Sequence, residues 1–303
     1  MATERFLWLA GRLVTHKEAK LHIMSPTCQY GINVFESIRC YLNSKNNKLL
    51  SFRFNDHIDR LFQSAKIMRL EFEYTSSEIQ SAFLDTIIAN KYIEDISVRI
   101  VIFIDKPGSW AYKGDCEMMI APIPMGRAYD SKIGITCCVS SWERINDRSI
   151  SPRTKAGANY INSRMAQLEA LDNGYDSAIF LNMDGKVSEA PGACIFIVRR
   201  GILITPPITA SILESVTRDT IINIAKNDFG ITTIERDVDR TELYICDEIF
   251  LCGTAAEIVP VLSVDKILVG DGKPGPLTKL IKQRYFDIVR GNVDSYNEWI
   301  IPI

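Results

Sequence analysis

Apolar and polar positions along this chain change their period often, and each change predicts an element. Residues 6–14, interrupted at Gly11, alternate like a strand and predict a short hairpin. Residues 34–41 and 49–54 predict a second hairpin, turned through the polar stretch 43–48. Ile58, Leu61, Phe62, Ala65 and Met68 then recur at three- and four-residue spacing, the mark of a helix, with Asn55 and Asp56 as candidate caps. A second helix starts near Ser77, with Ile79, Phe83 and Ile87 on one face. Strands at 97–104 and 117–121, joined by a loop containing Pro107 and Gly108, complete a first part of α+β character.

Two prolines, Gly126 and several polar residues follow, so the pattern predicts an N-terminal domain at 1–122, an interdomain linker at 123–132 and a larger C-terminal domain at 133–303. In the second domain strands at 133–140, 177–182, 194–198 and 249–252 alternate with helices near 159–173, 214–228 and 276–290. The expected class is therefore α/β (α+β), with no internal repeat and no low-complexity segment.

Composition narrows the function classes. With 303 residues, 47% of them hydrophobic and 24% charged, the chain is large enough for two cores. Thirty-five basic against 37 acidic side chains give a net charge of −2, which offers no broad positive field to nucleic acid or anionic membrane. Small-molecule chemistry is the expectation. The first residues lack the uninterrupted apolar core of a signal peptide, and no later run is long enough to span a bilayer. The eight cysteines lie mostly in apolar segments without a CxxC pair, as in a cytoplasmic protein whose thiols stay reduced. Histidines at 16, 22 and 57 have no metal-site spacing, so no metal is expected.

Lys155 stands just ahead of a predicted helix among small residues, Ala156, Gly157 and Ala158, that leave room for a planar ligand. A lysine so placed can attach a carbonyl compound through its amine, although most lysines are solvated surface charges. Its surroundings carry a resemblance. The stretches YGINVFESIRCY from Tyr30, HIDRLFQSAKI from His57, TKAGANY from Thr154, GKVSEAPGACIF from Gly185, ILESVTRDTI from Ile212 and CGTAAEIVPV from Cys252 resemble the class IV aminotransferases, the fold-type IV pyridoxal-phosphate enzymes. Within that class the lysine motif is similar to that of the branched-chain amino-acid aminotransferases, and the likeness covers nearly the whole chain.

The resemblance implies a two-domain fold with pyridoxal 5'-phosphate at the domain interface, and a homodimer or higher homo-oligomer. It implies ping-pong transfer of the amino group of leucine, isoleucine or valine to 2-oxoglutarate. The alternative is another fold-type IV enzyme: a D-amino-acid aminotransferase, an aminodeoxychorismate lyase or a transaminase of specialised metabolism. Lys155 corresponds to the lysine that binds the cofactor and moves the proton. Glu189 corresponds to the acid facing the pyridine nitrogen, though a turn acid after Asp184-Gly185 is the simpler reading of the residue by itself. Tyr160 matches the phenol on the ring oxygen and Leu213 the side chain packed on the ring. Arg60, Val216, Thr217 and Thr254 match the phosphate cup; taken singly they read as a salt bridge, a helix start, a cap and a strand-end turn. Tyr30 and Phe35 match aromatic walls of the substrate pocket, and Ala255 and Ala256 the turn at the substrate carboxylate. Arg99 matches the group receiving the second carboxylate of glutamate, with a buried ion pair as the competing explanation.

The sequence departs from the family pattern at Ser37 and Ser215, where glycine is usual, at Cys194 in place of asparagine, at Ser97 in place of tyrosine and at Met125 in place of tryptophan. These changes leave the lysine, acid and phosphate positions intact and bear on side-chain preference.

Overall fold

The computed structural model describes residues 4–126 and 133–303. The chain forms two compact units, one of Met1–Gly126, Thr154–Ala158 and Ile288–Ile303, the other of Arg127–Arg153 and Asn159–Asp287. It therefore passes between units more often than the single boundary expected from composition, because the stretch around Lys155 and the C-terminus both belong to the first unit.

The elements of the first unit begin with β1 (Phe6–Leu9), β2 (Arg12–Thr15), α1 (Pro26–Tyr30), β3 (Asn33–Asn43) and β4 (Lys48–Phe52). They continue with α2 (Phe54–Met68), α3 (Ser76–Asn90), β5 (Ile96–Phe103) and β6 (Glu117–Pro124). Next come β7 (Ile135–Glu143), α4 (Tyr160–Asp172), β8 (Ser177–Leu181), β9 (Cys194–Arg199), β10 (Ile202–Thr205) and α5 (Val216–Phe229). The chain ends with β11 (Ile234–Glu235), β12 (Glu248–Gly253), β13 (Glu257–Val264), β14 (Ile267–Leu268), α6 (Pro276–Val289) and β15 (Ile300–Pro302).

In the first unit a wholly antiparallel sheet runs in the order β15-β4-β3-β5-β6-β1-β2. The alternation along β3 separates two faces. Val34, Ile38 and Cys40 pack against Ile58, Leu61 and Ala65 of α2 and Ile79, Phe83 and Ile87 of α3, while Phe35, Ser37 and Arg39 lie on the opposite face. The α3 start is a capping box: Glu78 N donates to Thr75 Oγ1 and Thr75 N to Glu78 Oε2. The start of α2 differs from expectation. Its cap is Arg53, at φ +54° and without a side-chain cap bond, so Asn55 and Asp56 fall inside the first turn and Asp56 pairs with Arg53 instead. Strand β6 also runs past its expected end, through Pro122 to Pro124. Both prolines lie beyond Met119 and Ile120, the part of β6 that β1 pairs, so an unpaired side of the strand accommodates their missing N–H groups. The linker expected at 123–132 thus begins in strand, and its residues 127–132 lie outside the described residues.

In the second unit a mixed sheet runs β11-β10-β9-β12-β13-β7-β8, with β14 attached to β13. The pairs β13/β7, β7/β8 and β10/β11 are parallel and the rest antiparallel. One buried layer joins Ile135, Ile179, Ile195, Ile197, Ile249, Leu251, Val259 and Val261. Helix α4, between the parallel neighbours β7 and β8, buries Ala166 and Ala170 against Ala178 and Phe180. Strand β13 escaped the sequence pattern because Pro260 interrupts it. Pro260 is tolerated because β13 begins its ladder to β7 only at Val261, next to a register shift.

Candidate active site

In the first unit Lys155 is fixed through its backbone. Phe35 N donates to Lys155 O at 3.0 Å, Gly157 N to Asn33 O at 3.2 Å, and Val34 and Ala156 form an antiparallel bridge, so the segment lies along β3 like a short extra strand. Lys155 N donates to Ser64 Oγ of α2 at 3.1 Å. Glycine is required at 157: a Cβ there would lie 2.8 Å from the Asn33 side-chain amide. The Lys155 side chain is half-buried, with Nζ 5.0 Å from the centre of the Phe35 ring. Arg99 Cζ lies 4.4 Å from the same ring. Phe35 and Arg99 meet because β3 and β5 pair Phe35 with Val101 and Ser37 with Arg99, which sets both side chains on the face opposite the helices. Tyr30 ends α1 and is exposed, with its cap Gly31 at φ +68° against the backbone of Ala158.

The other face of β3 carries Glu36, fully buried, which receives two bonds from Arg60 of α2, Nε to Oε1 at 2.6 Å and Nη2 to Oε2 at 2.9 Å. His57 Nδ1 lies 2.7 Å from Glu36 Oε2. Burial alone would raise the Glu36 carboxyl, but the Arg60 charge and then His57 outweigh it and hold it well below the usual carboxylate range. Burial also pushes the His57 imidazole below its ordinary value, with Arg60 and Lys155 adding to the effect and Glu36 opposing it. With Glu36 ionised, the neutral His57 ring carries its hydrogen on Nδ1 and donates it. Arg60 thus stands one helical turn from Ser64, the residue that holds Lys155.

In the second unit Glu189, 4% exposed, sits between β8 and β9. Arg144 Nη2 is 2.8 Å from its Oε1, and Leu213 N donates to its Oε2 at 3.2 Å. Cys194 Sγ is 3.9 Å from the same Oε2 and 3.6 Å from Leu213 O, so one thiol hydrogen is shared between two acceptors. The structure therefore brings Glu189, Leu213 and Cys194 together. Val216 and Thr217 are the first two residues of α5, whose cap Ser215 accepts Arg218 N at 3.1 Å. Serine at a position where the family has glycine thus serves as a helix cap. Thr254, Ala255 and Ala256 form the turn of the β12–β13 hairpin, closed by Gly253 opposite Glu257 at φ +58°. Ala255, Ala256 and Tyr160 line one groove of about 510 Å³ together with Ala190, Pro191 and Gly192.

Four residues at these places were not singled out from sequence: Glu36, His57, Ser64 and Arg144. Glu36 and His57 had a signal, an acid inside an apolar strand and a histidine three residues before Arg60 on the apolar side of a helix. Arg144 had none. Of the remaining departures, Met125 O accepts Arg39 Nη1 at 2.7 Å and Ser97 lies opposite Arg39 in the sheet. Among the described residues no cluster of histidine, cysteine, aspartate and glutamate could hold a metal, and no helix is long and apolar enough to cross a membrane.

The family model described as amino-transferase class IV matches residues 33–264 of this chain. The branched-chain-amino-acid aminotransferase of Escherichia coli (strain K12) is 39% identical over 301 residues, which cover 97% of this chain and 96% of that protein. Among solved structures, the branched-chain aminotransferase of Thermoproteus uzoniensis, solved with norvaline, matches with a TM-score of 0.94 and 43% identity over 99% of both chains. A branched-chain amino acid aminotransferase from the source abbreviated T.th., complexed with N-(5'-phosphopyridoxyl)-L-glutamate, matches with a TM-score of 0.92 and 30% identity over 99% of both. Likeness that runs through sequence and fold from end to end makes this chain a member of the class IV aminotransferases, among relatives that are branched-chain amino-acid aminotransferases.

Proposed function

We propose that this protein is a pyridoxal-phosphate-dependent transaminase that moves the amino group of L-leucine, L-isoleucine or L-valine to 2-oxoglutarate in ping-pong fashion. The observation that carries the reading is the presentation of Lys155: its backbone is pinned to β3 and to Ser64, while its amine stays half-buried over an aromatic ring. The residues present fit the cofactor. Lys155 offers an amine, Glu189 a buried carboxylate, and α5 with Thr254 a helix start and a hydroxyl suited to phosphate. The second unit also holds a buried donor, Arg144 Nε, with no acceptor among the described residues, as expected where an oxygen-bearing ligand belongs.

When bound, pyridoxal phosphate supplies an acceptor for the electron pair left on the substrate α-carbon. Lys155 Nζ holds the cofactor covalently and carries the proton taken from the α-carbon. Glu189 keeps the pyridine nitrogen protonated, Tyr160 bonds the ring oxygen and Leu213 packs on the ring. Arg60, Val216, Thr217 and Thr254 hold the phosphate. Tyr30 and Phe35 wall the side-chain pocket, Ala255 and Ala256 meet the α-carboxylate, and Arg99 pairs with the distal carboxylate of glutamate, as a charge entering such a pocket requires. The glutamate adduct in a solved relative supports that acceptor.

A homodimer fits the same reading, since Ile161, Met165 and Leu168 recur along α4 with their side chains exposed. A cytoplasmic setting fits eight free cysteines, seven of them buried. Initial rates over L- and D-amino acids, with 2-oxoglutarate and pyruvate as acceptors, test the function. Turnover of L-leucine, L-isoleucine and L-valine with 2-oxoglutarate is expected; turnover confined to D-amino acids would make this a different fold-type IV enzyme.

A further inference from the structure

Glu189 is held from two sides. Its Oε2 receives the Leu213 amide and a share of the Cys194 thiol, whereas its Oε1 faces the guanidinium of Arg144, which is 7% exposed. That guanidinium is itself anchored. Arg144 Nη1 donates to Asn162 Oδ1 of α4 at 3.1 Å, Arg144 N donates to Leu181 O at 2.9 Å, and Asn162 Nδ2 donates to Glu143 O at 2.9 Å. Its Cζ lies 5.7 Å from the Phe180 ring, and Phe180 N in turn donates to Glu189 O at 2.8 Å. Arg144 thus links α4 to Glu189 through both a side chain and a strand.

A buried ion pair of this kind adds little net stability, because the cost of desolvating two charges offsets most of their attraction. Its consequence for the carboxylate is larger. A cation on one oxygen favours the charged form, and fixed donors on both oxygens leave the group one orientation. We propose that Arg144 is a positioning residue of the reaction, holding Glu189 ionised and turned in a single direction, with Leu213 N and Cys194 fixing its second oxygen. This rests on the functional reading above, in which Glu189 keeps the pyridine nitrogen protonated. A Glu189 that took up a proton, or swung away, would no longer do so.

The test uses cofactor-loaded protein in five forms: wild type, Arg144→Met, Arg144→Lys, Glu189→Gln and the double variant Arg144→Met/Glu189→Gln. Two quantities are followed, the pH midpoint of the visible absorbance of the bound cofactor and the kcat and KM for leucine. Arg144→Met is expected to move the midpoint in the same direction as Glu189→Gln, and to lower kcat by about tenfold or more with KM for leucine changed about threefold at most. Arg144→Lys, which keeps the charge, should recover most of both. Because Arg144 acts through Glu189, the double variant should titrate and turn over like Glu189→Gln alone. Losses that multiply in the double variant, or an Arg144→Met protein that is less stable but titrates like wild type, would overturn the proposal. Should Arg144→Met fail to fold, Arg144→Gln takes its place with an amide donor and no charge, under the same expected and contrary results. A wild type that shows no cofactor absorbance at all would sink the functional reading first, and this inference with it.

Discussion

His57 should make this protein lose stability between neutral and mildly acid pH, and His57→Asn should remove that loss. The imidazole is 2% exposed and its proton affinity is depressed by burial, by Arg60 and by Lys155 against the opposing pull of Glu36. In the unfolded chain it titrates near the ordinary value of about 6.5. Below that pH the unfolded state binds a proton that the folded state refuses, so stability present above about 6.5 falls as pH falls. While folded His57 stays neutral, the loss reaches about 1.4 kcal/mol at one pH unit below that value and grows at about 1.4 kcal/mol per further unit. Glu36 has the same sign in a lower window: its carboxyl is held below the usual range by Arg60 and His57, so its contribution is present above about 4.5 and lost below. The two windows are separable, because the other histidines, His16 and His22, are exposed. Urea midpoints followed by the fluorescence of Trp8 and Trp299, both in the first unit, at about pH 7.5, 6.5 and 5.5 provide the assay. Wild type should weaken between the last two and His57→Asn should not. Parallel curves for the two proteins would refute the reasoning, since the buried neutral histidine would then carry no linkage.

Arg99→Met should raise the apparent KM for 2-oxoglutarate about tenfold or more while the leucine half-reaction, followed by absorbance in single turnover, changes much less; equal losses would assign Arg99 to the fold or to the α-carboxylate. Glu248 accepts Leu277 N at 3.0 Å, Thr278 N at 2.7 Å and Thr278 Oγ1 at 2.6 Å at the start of α6, so Glu248→Ala should cost about 2 kcal/mol or more of unfolding free energy, and an unchanged urea midpoint would count against that cap. Gly275→Ala should destabilise by a comparable amount, because its Cβ would collide with the Glu248 side chain.

Much of this was legible in the sequence, for identifiable reasons. The hairpin of β1 and β2 shows as alternation broken at Gly11, which adopts φ +92° in the turn, and α3 shows through Thr75 and Glu78. Lys155 could be marked as a site because small neighbours surround it, and the structure shows why Gly157 must be small. Other features depend on partners distant in sequence. The start of α2 at Phe54 rests on Arg53 in a left-handed conformation, which no capping residue announces. Strand β13 was hidden by Pro260, tolerated only because of where the neighbouring ladder begins. Arg144 looks like any surface arginine until β7 and the segment after β8 bring it to Glu189, 45 residues later. The two returns of the chain to the first unit are likewise set by tertiary pairing, Lys155 O with Phe35 N and β15 with β4, rather than by local composition.

The most direct check of the proposed chemistry is to reduce the cofactor-loaded protein with borohydride, digest it and locate the modified residue. Attachment of the pyridoxyl group to the peptide carrying Lys155, with loss of both attachment and turnover in Lys155→Ala, is the predicted result. Labelling of a different lysine in the wild type, or turnover that survives in Lys155→Ala, would contradict it.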